Sequence, residues 1–243
     1  MFDNHFEAFL ADTLEARETH YRLRYQVYCV DTSWEDRSAF PDQMERDEFD
    51  ERSTAFLVRR NRSRGWIATV RLIRAPLAVL PVFGHSRIES HVVPEAAWGN
   101  VAEISRLCVV TKYRMTPGRP GKIVHPEDSF LKANYRSSES WIFMGLVRAA
   151  WEWSRQNGVR YWVFFVAEAL GRVIHQSGFD LEPLGAVADF RGPRRPYLVD
   201  LCHGADHLAE RAPAVKAMFG RRPAFRRFSE LNAISRGVRR HPR

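Results

Sequence analysis

The chain has 243 residues, of which 45% are hydrophobic and 27% charged, a composition typical of a globular protein with a substantial core. No uncharged apolar stretch approaches the roughly 20 residues that a membrane-spanning helix requires, and the N-terminal segment lacks the pattern of a signal peptide. Three single cysteines, Cys29, Cys108 and Cys202, show neither metal-site spacing nor a disulfide framework. We therefore expect a cytoplasmic protein with no transmembrane segment and no metal site.

The positive charge is concentrated at the C-terminus. Residues 220–243 contain eight Arg and one Glu, a net charge of +7, so the preceding residues supply only +1 of the total of +8. This distribution argues against a nucleic-acid-binding protein, whose basic field is broader. We predict one domain over residues 1–219 and a basic Arg-rich tail over 220–243. The tail either contacts an acidic partner or an anionic membrane surface, or is solvated without a partner.

Periodicity and turn residues predict the elements of the first half of the chain. A strand at 5–11 precedes a helix that begins at a capping box of Asp12 and Glu15 and continues to about Val30. A long acidic loop, 31–53, leads to a hairpin of strands at 54–60 and 66–74. An irregular segment, 75–100, then precedes a strand at 101–110.

The second half begins with a basic Gly/Pro loop at 111–120. The elements predicted after it are a helix at 138–156, a strand at 159–166, a helix at 168–176, strands at 179–187 and 195–202, and a helix at 205–219. This order predicts an α/β fold with a mixed central sheet flanked by helices. The strand, loop and helix across 101–157 are suited to binding phosphate.

The strand at 101–110 carries three polar side chains in an otherwise apolar segment: Glu103, Ser105 and Arg106. Burial of such groups costs several kcal/mol unless each is paired or hydrogen-bonded. Strict alternation places Glu103 and Ser105 on one face and Arg106 on the other. The strand is therefore either a structural brace or a catalytic strand, and one face can serve each role.

Several separated motifs resemble a known signature. They are Arg24-x-x-x-Tyr28, Trp34, Glu45-x-Asp47-x-x-Asp50, Thr69-Val-Arg71 and Glu103-x-Ser105-Arg106. In this order they resemble the acyl-homoserine-lactone synthases of the GNAT acyltransferase superfamily. Three longer segments are similar to the PEP-CTERM/exosortase system-associated acyltransferases, a sister group of the long-chain N-acyl amino acid synthases. These segments are Tyr21-Arg-Leu-Arg-Tyr-Gln-Val-Tyr-Cys29, Glu45-Arg-Asp-Glu-Phe-Asp50 and Ala102-Glu-Ile-Ser-Arg-Leu107.

The resemblance implies a three-layer α/β/α GNAT fold and an N-acyltransferase that moves a medium or long acyl chain to a small amine acceptor. The implied donor is a thioester on acyl carrier protein, or acyl-CoA, with no tightly bound cofactor. An association with exosortase-type protein sorting is also implied. The alternatives are a homoserine-lactone synthase that uses S-adenosylmethionine, and a non-catalytic module that senses an acyl group or binds a partner.

The resemblance also implies roles for individual residues. Catalytic roles fall to Glu103, Ser105 and Arg106. The implied substrate pocket consists of Arg24, Tyr28, Trp34, Asp47, Asp50 and Arg71, and the implied donor site of Leu107, Cys108, Val109 and Arg114. Tyr28 departs from the Phe usual in the lactone synthases. The loop from Arg114 to Gly121 only loosely matches the phosphate loop of acetyl-CoA-using relatives, which favours the carrier protein over coenzyme A.

The chemistry of acyl transfer fits these residue types. The attacking amine must lose a proton, which a carboxylate such as Glu103 can accept directly or through a water. Backbone N–H groups at 107–109 could polarise the thioester carbonyl. Asp47 and Asp50 form either a surface acidic patch or an ion-pair network with Arg24, Arg71 and Arg106 that holds a lid. Carrier proteins are acidic, so we expect a basic docking face from Lys112, Arg114, Arg119 and Lys122.

Overall fold

The computed structural model describes residues 2–89, 93, 98–110, 138–202, 213–221 and 223–231. The strands in these ranges are β1 (Phe6–Leu10), β2 (Ser53–Arg60), β3 (Trp66–Ile73), β4 (Val101–Val109), β5 (Tyr161–Val166), β6 (Glu182–Pro183), β7 (Ala188–Asp189), β8 (Pro193–Asp200) and β9 (Arg226–Arg227). The α-helices are α1 (Leu14–Arg24), α2 (Pro81–His85), α3 (Ser138–Gln156), α4 (Glu168–Gln176) and α5 (Pro213–Phe219). A π-helical segment, Tyr25–Asp31, extends α1 to the predicted end of that helix.

The strands form a mixed sheet in the order β6-β8-β5-β4-β3-β2-β1-β9, and β7 pairs with β8 beside it. Strands β1 to β4 pair antiparallel to one another in chain order, β9 is parallel to β1, and β8 is antiparallel to β5. Strand β5 is parallel to β4. The parallel pair requires a crossover, and α3 belongs to the connection that supplies it. The predicted α/β class with mixed strand directions is confirmed.

Alternation along β2 shows how the sequence forms three layers. Ala55 and Leu57 pack with Leu23 of α1 on one face of the sheet. Phe56 and Val58 pack on the opposite face, in the large core cluster that includes α3. Helices therefore cover both faces, and the predicted three-layer α/β/α arrangement is confirmed.

A close approach at Gly145 joins the N-terminus to α3. A β-carbon at Gly145 would lie 2.0 Å from the ring of Phe2, so the absence of a side chain there allows Phe2 to pack onto the helix. Arg148 of α3 pairs with Asp3 at 2.5 Å and lies over the Phe2 ring. The first turn of the chain is thereby attached to the central helix.

Several local predictions are corrected. The cap of α1 is Thr13, whose hydroxyl accepts from the Ala16 N–H at 3.1 Å, whereas Asp12 accepts from Ser229. The strand predicted at 179–187 is reduced to the two residues of β6. The segment 75–100, predicted irregular, contains α2, which begins with Pro81 at a helical position that needs no N–H donor.

The C-terminal arginines also differ from the prediction. Arg226–Arg227 pairs in parallel with Phe9–Leu10, and Phe228 is buried and stacked on Trp66 at 5.3 Å. Residues 223–231 therefore belong to the folded domain rather than to a separate tail. The remainder of the predicted tail, 232–243, and residues 205–212 of the last predicted helix lie outside the described residues. Within the described ranges, no helix is long and apolar enough to cross a membrane.

Candidate active site

A β-bulge in β4 sets the direction of its side chains. Arg71 of β3 lies opposite Ser105, but Thr69 lies opposite Cys108, so Arg106 and Leu107 together occupy one position of the ladder. Arg106 has a positive φ of 50°, the left-handed conformation that such a bulge can impose on one residue. The alternation is therefore reversed beyond the bulge. Arg106 points toward the same side as Ser105, contrary to the prediction from strict alternation.

The site also includes a cleft between β4 and β5. The two strands pair from Val101–Tyr161 to Ile104–Phe164, although β4 continues to Val109. Beyond that pairing lies a cavity of about 400 Å³. The cavity passes through the sheet at the point where the strands separate, and it has a polar end and an apolar end.

The polar end contains the predicted catalytic strand. Its lining includes Tyr28, Trp34, Asp47, Arg71, Glu103, Ser105, Arg106 and Leu107. All three predicted catalytic residues and four of the six predicted substrate-binding residues therefore line one cavity. Arg24 and Asp50 are buried behind its wall and contact the residues that line it.

The apolar end lies between the sheet and two helices. Its lining consists of Phe143, Leu146, Val147 and Ala150 of α3, Leu170 and Ile174 of α4, and Trp162, Phe164 and Val166 of β5. One edge of α3 therefore lines the cavity while the rest of the helix packs in the core. The dimensions and the apolar walls suit a flexible hydrocarbon chain.

Glu103 lies 4% exposed at the junction of the two ends. Its Oε2 accepts a hydrogen bond of 2.9 Å from the N–H of Val82, in the first turn of α2. Burial raises the pKa of Glu103 to about 7, because it disfavours the carboxylate more than the Val82 N–H and the charges of Arg71 and Arg106 favour it. A carboxyl with this pKa exchanges protons near neutral pH.

Ser105 is positioned by Arg71. The Nε of Arg71 donates to Ser105 Oγ at 3.1 Å, and its NH1 donates to Asp47 at 2.5 Å and to Asp50 at 2.8 Å. Because the Ser105 oxygen serves as an acceptor, its own proton can be directed into the cavity.

Three arginines and three carboxylates form an ion-pair network at the polar end, and four of the six side chains are buried. Arg24 donates to Glu45 and to Asp50, and Arg106 donates to Glu45 at 3.2 Å and to Asp47 at 3.0 Å. Burial would lower the pKa of Arg24, but Glu45 and Asp50 outweigh burial and raise it. Burial would likewise raise the pKa of Asp50, but Arg24 and Arg71 hold it below its usual value. The ion-pair network is confirmed over the surface acidic patch, and Arg106 anchors Asp47 as predicted.

A neutral histidine continues this network into the sheet. Arg24 NH1 lies 3.1 Å from His20 Nε2, and His20 Nδ1 lies 2.6 Å from the hydroxyl of Thr69, which donates to the Phe56 carbonyl at 2.7 Å. Burial, followed by the charges of Arg24, Arg71 and Arg106, lowers the pKa of His20 well below its usual range. The chain of donors is consistent with a neutral ring that accepts from Arg24 and donates to Thr69.

Aromatic rings and an ion pair surround the polar end. Tyr28 stacks on Trp34 at 6.0 Å and donates its hydroxyl to the Leu107 carbonyl at 3.1 Å. Across the cavity, Phe190 stacks on His85 at 3.9 Å, and the adjacent Arg191 pairs with Glu35 at 2.7 Å. The turn between β7 and β8 therefore covers this end of the cavity.

The predicted donor residues have mixed outcomes. Leu107 lines the cavity, but Cys108 packs with Val27 and Tyr28, and Val109 packs in the core under α3. A role for their side chains at the thioester is not supported, and the predicted role of the backbone at 107–109 stays a prediction. Arg114 and the basic candidates Lys112, Arg119 and Lys122 lie outside the described residues, as does the loop 111–120.

Two functional elements were missed by sequence reasoning. Glu45 is buried and bridges Arg24 to Arg106, and its place in the motif with Asp47 and Asp50 was the signal that could have identified it. The apolar lining from α4 carried no local signal, because core and cavity positions on a helix share one periodicity. Among the described residues, no group of three or more His, Cys, Asp or Glu side chains has an arrangement that could hold a metal ion.

Comparisons with known proteins agree with this geometry. Residues 23–119 match the family model described as acetyltransferase (GNAT) domain. The structure is similar to the CoA-dependent acyl-homoserine lactone synthase BjaI, at 19% identity over 92% of each chain, with a TM-score of 0.59. It is also similar to the lactone synthase LasI, at 17% identity over 81% of this chain and 90% of LasI, with a TM-score of 0.54.

A third similar structure is FeeM, an N-acyl amino acid synthase from uncultured soil microbes, at 14% identity over 84% of this chain and 97% of FeeM, with a TM-score of 0.54. A comparison with curated proteins finds no match. At these identities the structural similarity establishes the fold. The fold and the matched domain are those of a GNAT-type acyltransferase, which confirms the fold class and the enzyme class expected from the sequence.

Proposed function

We propose that this protein is an N-acyltransferase that moves a medium or long acyl chain from a thioester donor to the amine of a small acceptor. The observation that carries the proposal is the single cavity at the separation of β4 from β5. It joins a polar end at Glu103 and Ser105 to an apolar arm beneath α3 and α4. Acyl transfer requires these two environments to meet at the reacting carbonyl.

In the proposed reaction, the amine nitrogen attacks the thioester carbonyl, the C–S bond breaks and the thiolate leaves. Glu103 takes the proton that the attacking amine must lose, directly or through a water, and its pKa of about 7 suits this exchange at neutral pH. Ser105, held by Arg71, directs its hydroxyl toward the reacting centre. Backbone N–H groups after the bulge, at 107–109, polarise the carbonyl oxygen.

The ion-pair network is proposed to shape the acceptor end rather than to react. Asp47 is the most exposed of its three carboxylates, with 17% side-chain exposure, and it lines the cavity. The two arginines that donate hydrogen bonds to it, Arg71 and Arg106, fix the carboxylate in place. A positively charged acceptor amine would therefore meet a carboxylate whose position is already set, which lowers the cost of ordering on binding.

The identity of the acyl donor and the closer family relationship rest on the sequence resemblance. We propose an acyl carrier protein as donor, and a relationship to the PEP-CTERM/exosortase-associated acyltransferases. The alternative within the same fold is a homoserine-lactone synthase, because BjaI and LasI share the architecture. The two reactions differ in acceptor and product, so product analysis separates them.

The test is a matrix of donors and acceptors. Purified protein is incubated with carrier-bound and CoA-bound acyl chains of several lengths, together with amino acids, other small amines or S-adenosylmethionine, and products are identified by mass spectrometry. An N-acyl amine from a medium or long donor is the expected result. An acyl-homoserine lactone formed from S-adenosylmethionine would establish the alternative. Absence of any donor-dependent product across the matrix would contradict both and favour a non-catalytic module.

A further inference from the structure

The tip of the β2–β3 hairpin carries a concentration of positive charge. Arg60, Arg62 and Arg64 are exposed there, and Arg64 retains 67% of its side-chain exposure. Arg226 of β9 reaches the same region, because its guanidinium lies 3.2 Å from Glu7, the carboxylate that also lies 4.0 Å from Arg64. We call these four residues, Arg60, Arg62, Arg64 and Arg226, the arginine surface.

The carboxylates near this surface are already occupied. Glu7 accepts two hydrogen bonds from the buried Arg59, at 2.9 and 3.0 Å, in addition to its contact with Arg226. Asp3, whose carbonyl accepts from Asn61 of the hairpin, pairs through its carboxylate with Arg148 at 2.5 Å. Within the part of the chain that the structure describes, these ion pairs leave the arginine surface with more positive than negative charge.

The strand register places the hairpin part of this surface one strand away from β4, on the side of β4 opposite β5. Ala68 at the start of β3 lies opposite Val109 at the end of β4, and Val110 donates to the Ile67 carbonyl at 2.9 Å. The hairpin thus projects from the end of the sheet toward which β4 and β5 separate, about 5 Å or one strand spacing from β4. A donor that enters the cleft from this end would pass close to the arginine surface.

The extent of the surface favours a macromolecule over a nucleotide. From β9 through β1 and β2 to β3 it spans three strand spacings, or about 14 Å, which exceeds one phosphate group. A membrane is less favoured, because membrane-surface elements combine basic residues with apolar side chains that insert. The exposed large apolar residues of the described chain are Leu14, Val79, Trp98 and Val187, none of which lies in the hairpin or β9.

We infer that the arginine surface docks an acidic protein that carries the acyl chain as a thioester. This inference rests on the proposed function and names its donor partner and the place where that partner binds. Complementary charge at the rim of an interface mainly accelerates encounter and selects the partner. Docking here would direct the tethered thioester along the end of β4 into the cleft.

The test measures donor binding without turnover. Dissociation constants are determined for two ligands with the same dodecanoyl chain, one on acyl carrier protein and one on coenzyme A, and for wild type and Arg62→Glu/Arg64→Glu. We expect the variant to weaken binding of the carrier-bound chain by about 10-fold or more and to change CoA-thioester binding less than about 2-fold. The uncharged variant Arg62→Gln/Arg64→Gln should give an intermediate loss. Arg87→Glu/Arg172→Glu, with both arginines exposed elsewhere, is the matched control and should bind both ligands as wild type does.

Three results would overturn the inference. They are unchanged carrier binding in the charge-reversed variant, an equal loss with both ligands, and loss of binding to phosphatidylglycerol vesicles while carrier binding is retained. The last result would assign the surface to a membrane. Failure of the proposed function is distinguishable, because it appears as a lack of acylated product while carrier docking through these arginines persists.

Discussion

The residue with the most unusual environment is Glu103. An ionised carboxylate at this position is buried, and one backbone N–H and two arginine charges only partly offset the loss of hydration. Its folded-state pKa is therefore raised from 4.5 to about 7. A carboxyl group with a raised pKa contributes full stability below its unfolded pKa, and this contribution is lost as the pH rises through the folded value.

The upward direction of this pKa shift predicts how the stability of Glu103→Gln, relative to wild type, depends on pH. The neutral amide keeps an oxygen that can accept from Val82 and removes the cost of a buried charge, so its advantage over wild type should be absent near pH 4. That advantage should grow to on the order of 3 kcal/mol by pH 8. Urea unfolding of both proteins across this range checks the prediction. A pH-independent difference between them would show that Glu103 is not the group with the raised pKa.

Glu45 shows how one buried carboxylate serves two arginines. Its side chain is 2% exposed and contacts Arg24 and Arg106, so its loss leaves the buried Arg24 and the partly buried Arg106 without one of their counter-charges. We predict that Glu45→Gln lowers the free energy of unfolding by about 3–5 kcal/mol. Glu48→Gln is a matched control, because Glu48 is exposed and only three residues away, and it should change stability by no more than about 0.5 kcal/mol. Equal effects of the two substitutions would contradict a stabilising role for the network.

At the scale of elements, α3 combines core packing with the lining of the apolar arm. Ala150 is the smallest of the four α3 residues that line the cavity, so a larger side chain there would occupy space along the arm. We predict that Ala150→Leu lowers kcat/KM for the longest accepted acyl donor by roughly 10-fold or more. In an apolar pocket, a difference of one methylene group changes selectivity by about this factor. Short donors should be used as well by the variant as by wild type.

Competition between a short and a long donor, with products quantified by mass spectrometry, checks the prediction for Ala150. Retained activity with the short donor serves as the internal control for folding. A proportional loss with both donors would indicate general disruption of the fold and would contradict the assignment of the arm to the acyl chain.

The bulge in β4 is the element-scale feature that strand alternation could not predict. A one-residue insertion in the ladder is invisible to a period of two, and no glycine at 106 or 107 marks it. Its effect is to place Arg106 beside Ser105 on the side of the acidic loop, where it pairs with Glu45 and Asp47. Opposite charge was enough to predict the contact of Arg106 with Asp47. Strand alternation, however, predicted the wrong face of β4 for Arg106.

At the scale of the molecule, local patterns predicted most of the elements. Helices α3 and α4 have the predicted limits. Strong amphipathic periodicity indicates the extent of each helix, and a glycine or turn follows its last residue. The strand predicted at 179–187 is wrong over most of its length. Pro183 and Gly185 lie inside this apolar run, and both residues disfavour a regular strand. Residues that follow Gly220 were assigned to a tail because charge density hid Phe225 and Phe228, the apolar residues that pack on the domain.

The candidate site was predicted only in part. Motifs identified the polar residues, and charge matching predicted the network of Arg24, Asp47, Asp50 and Arg71. The cavity itself depends on the separation of β4 from β5 and on helices distant in sequence, and no local pattern encodes that separation. For the same reason the apolar arm, on which the proposed chain length depends, required the structure.

We propose that acyl transfer occurs at the β4–β5 cleft with Glu103 as the base. The most direct test of this proposal is the turnover of purified Glu103→Gln relative to wild type, with an acyl donor and acceptor that give product. A decrease of roughly 10²–10⁴-fold, in a variant that unfolds no more readily than wild type, is the predicted result. Unchanged turnover in that folded variant would contradict the account.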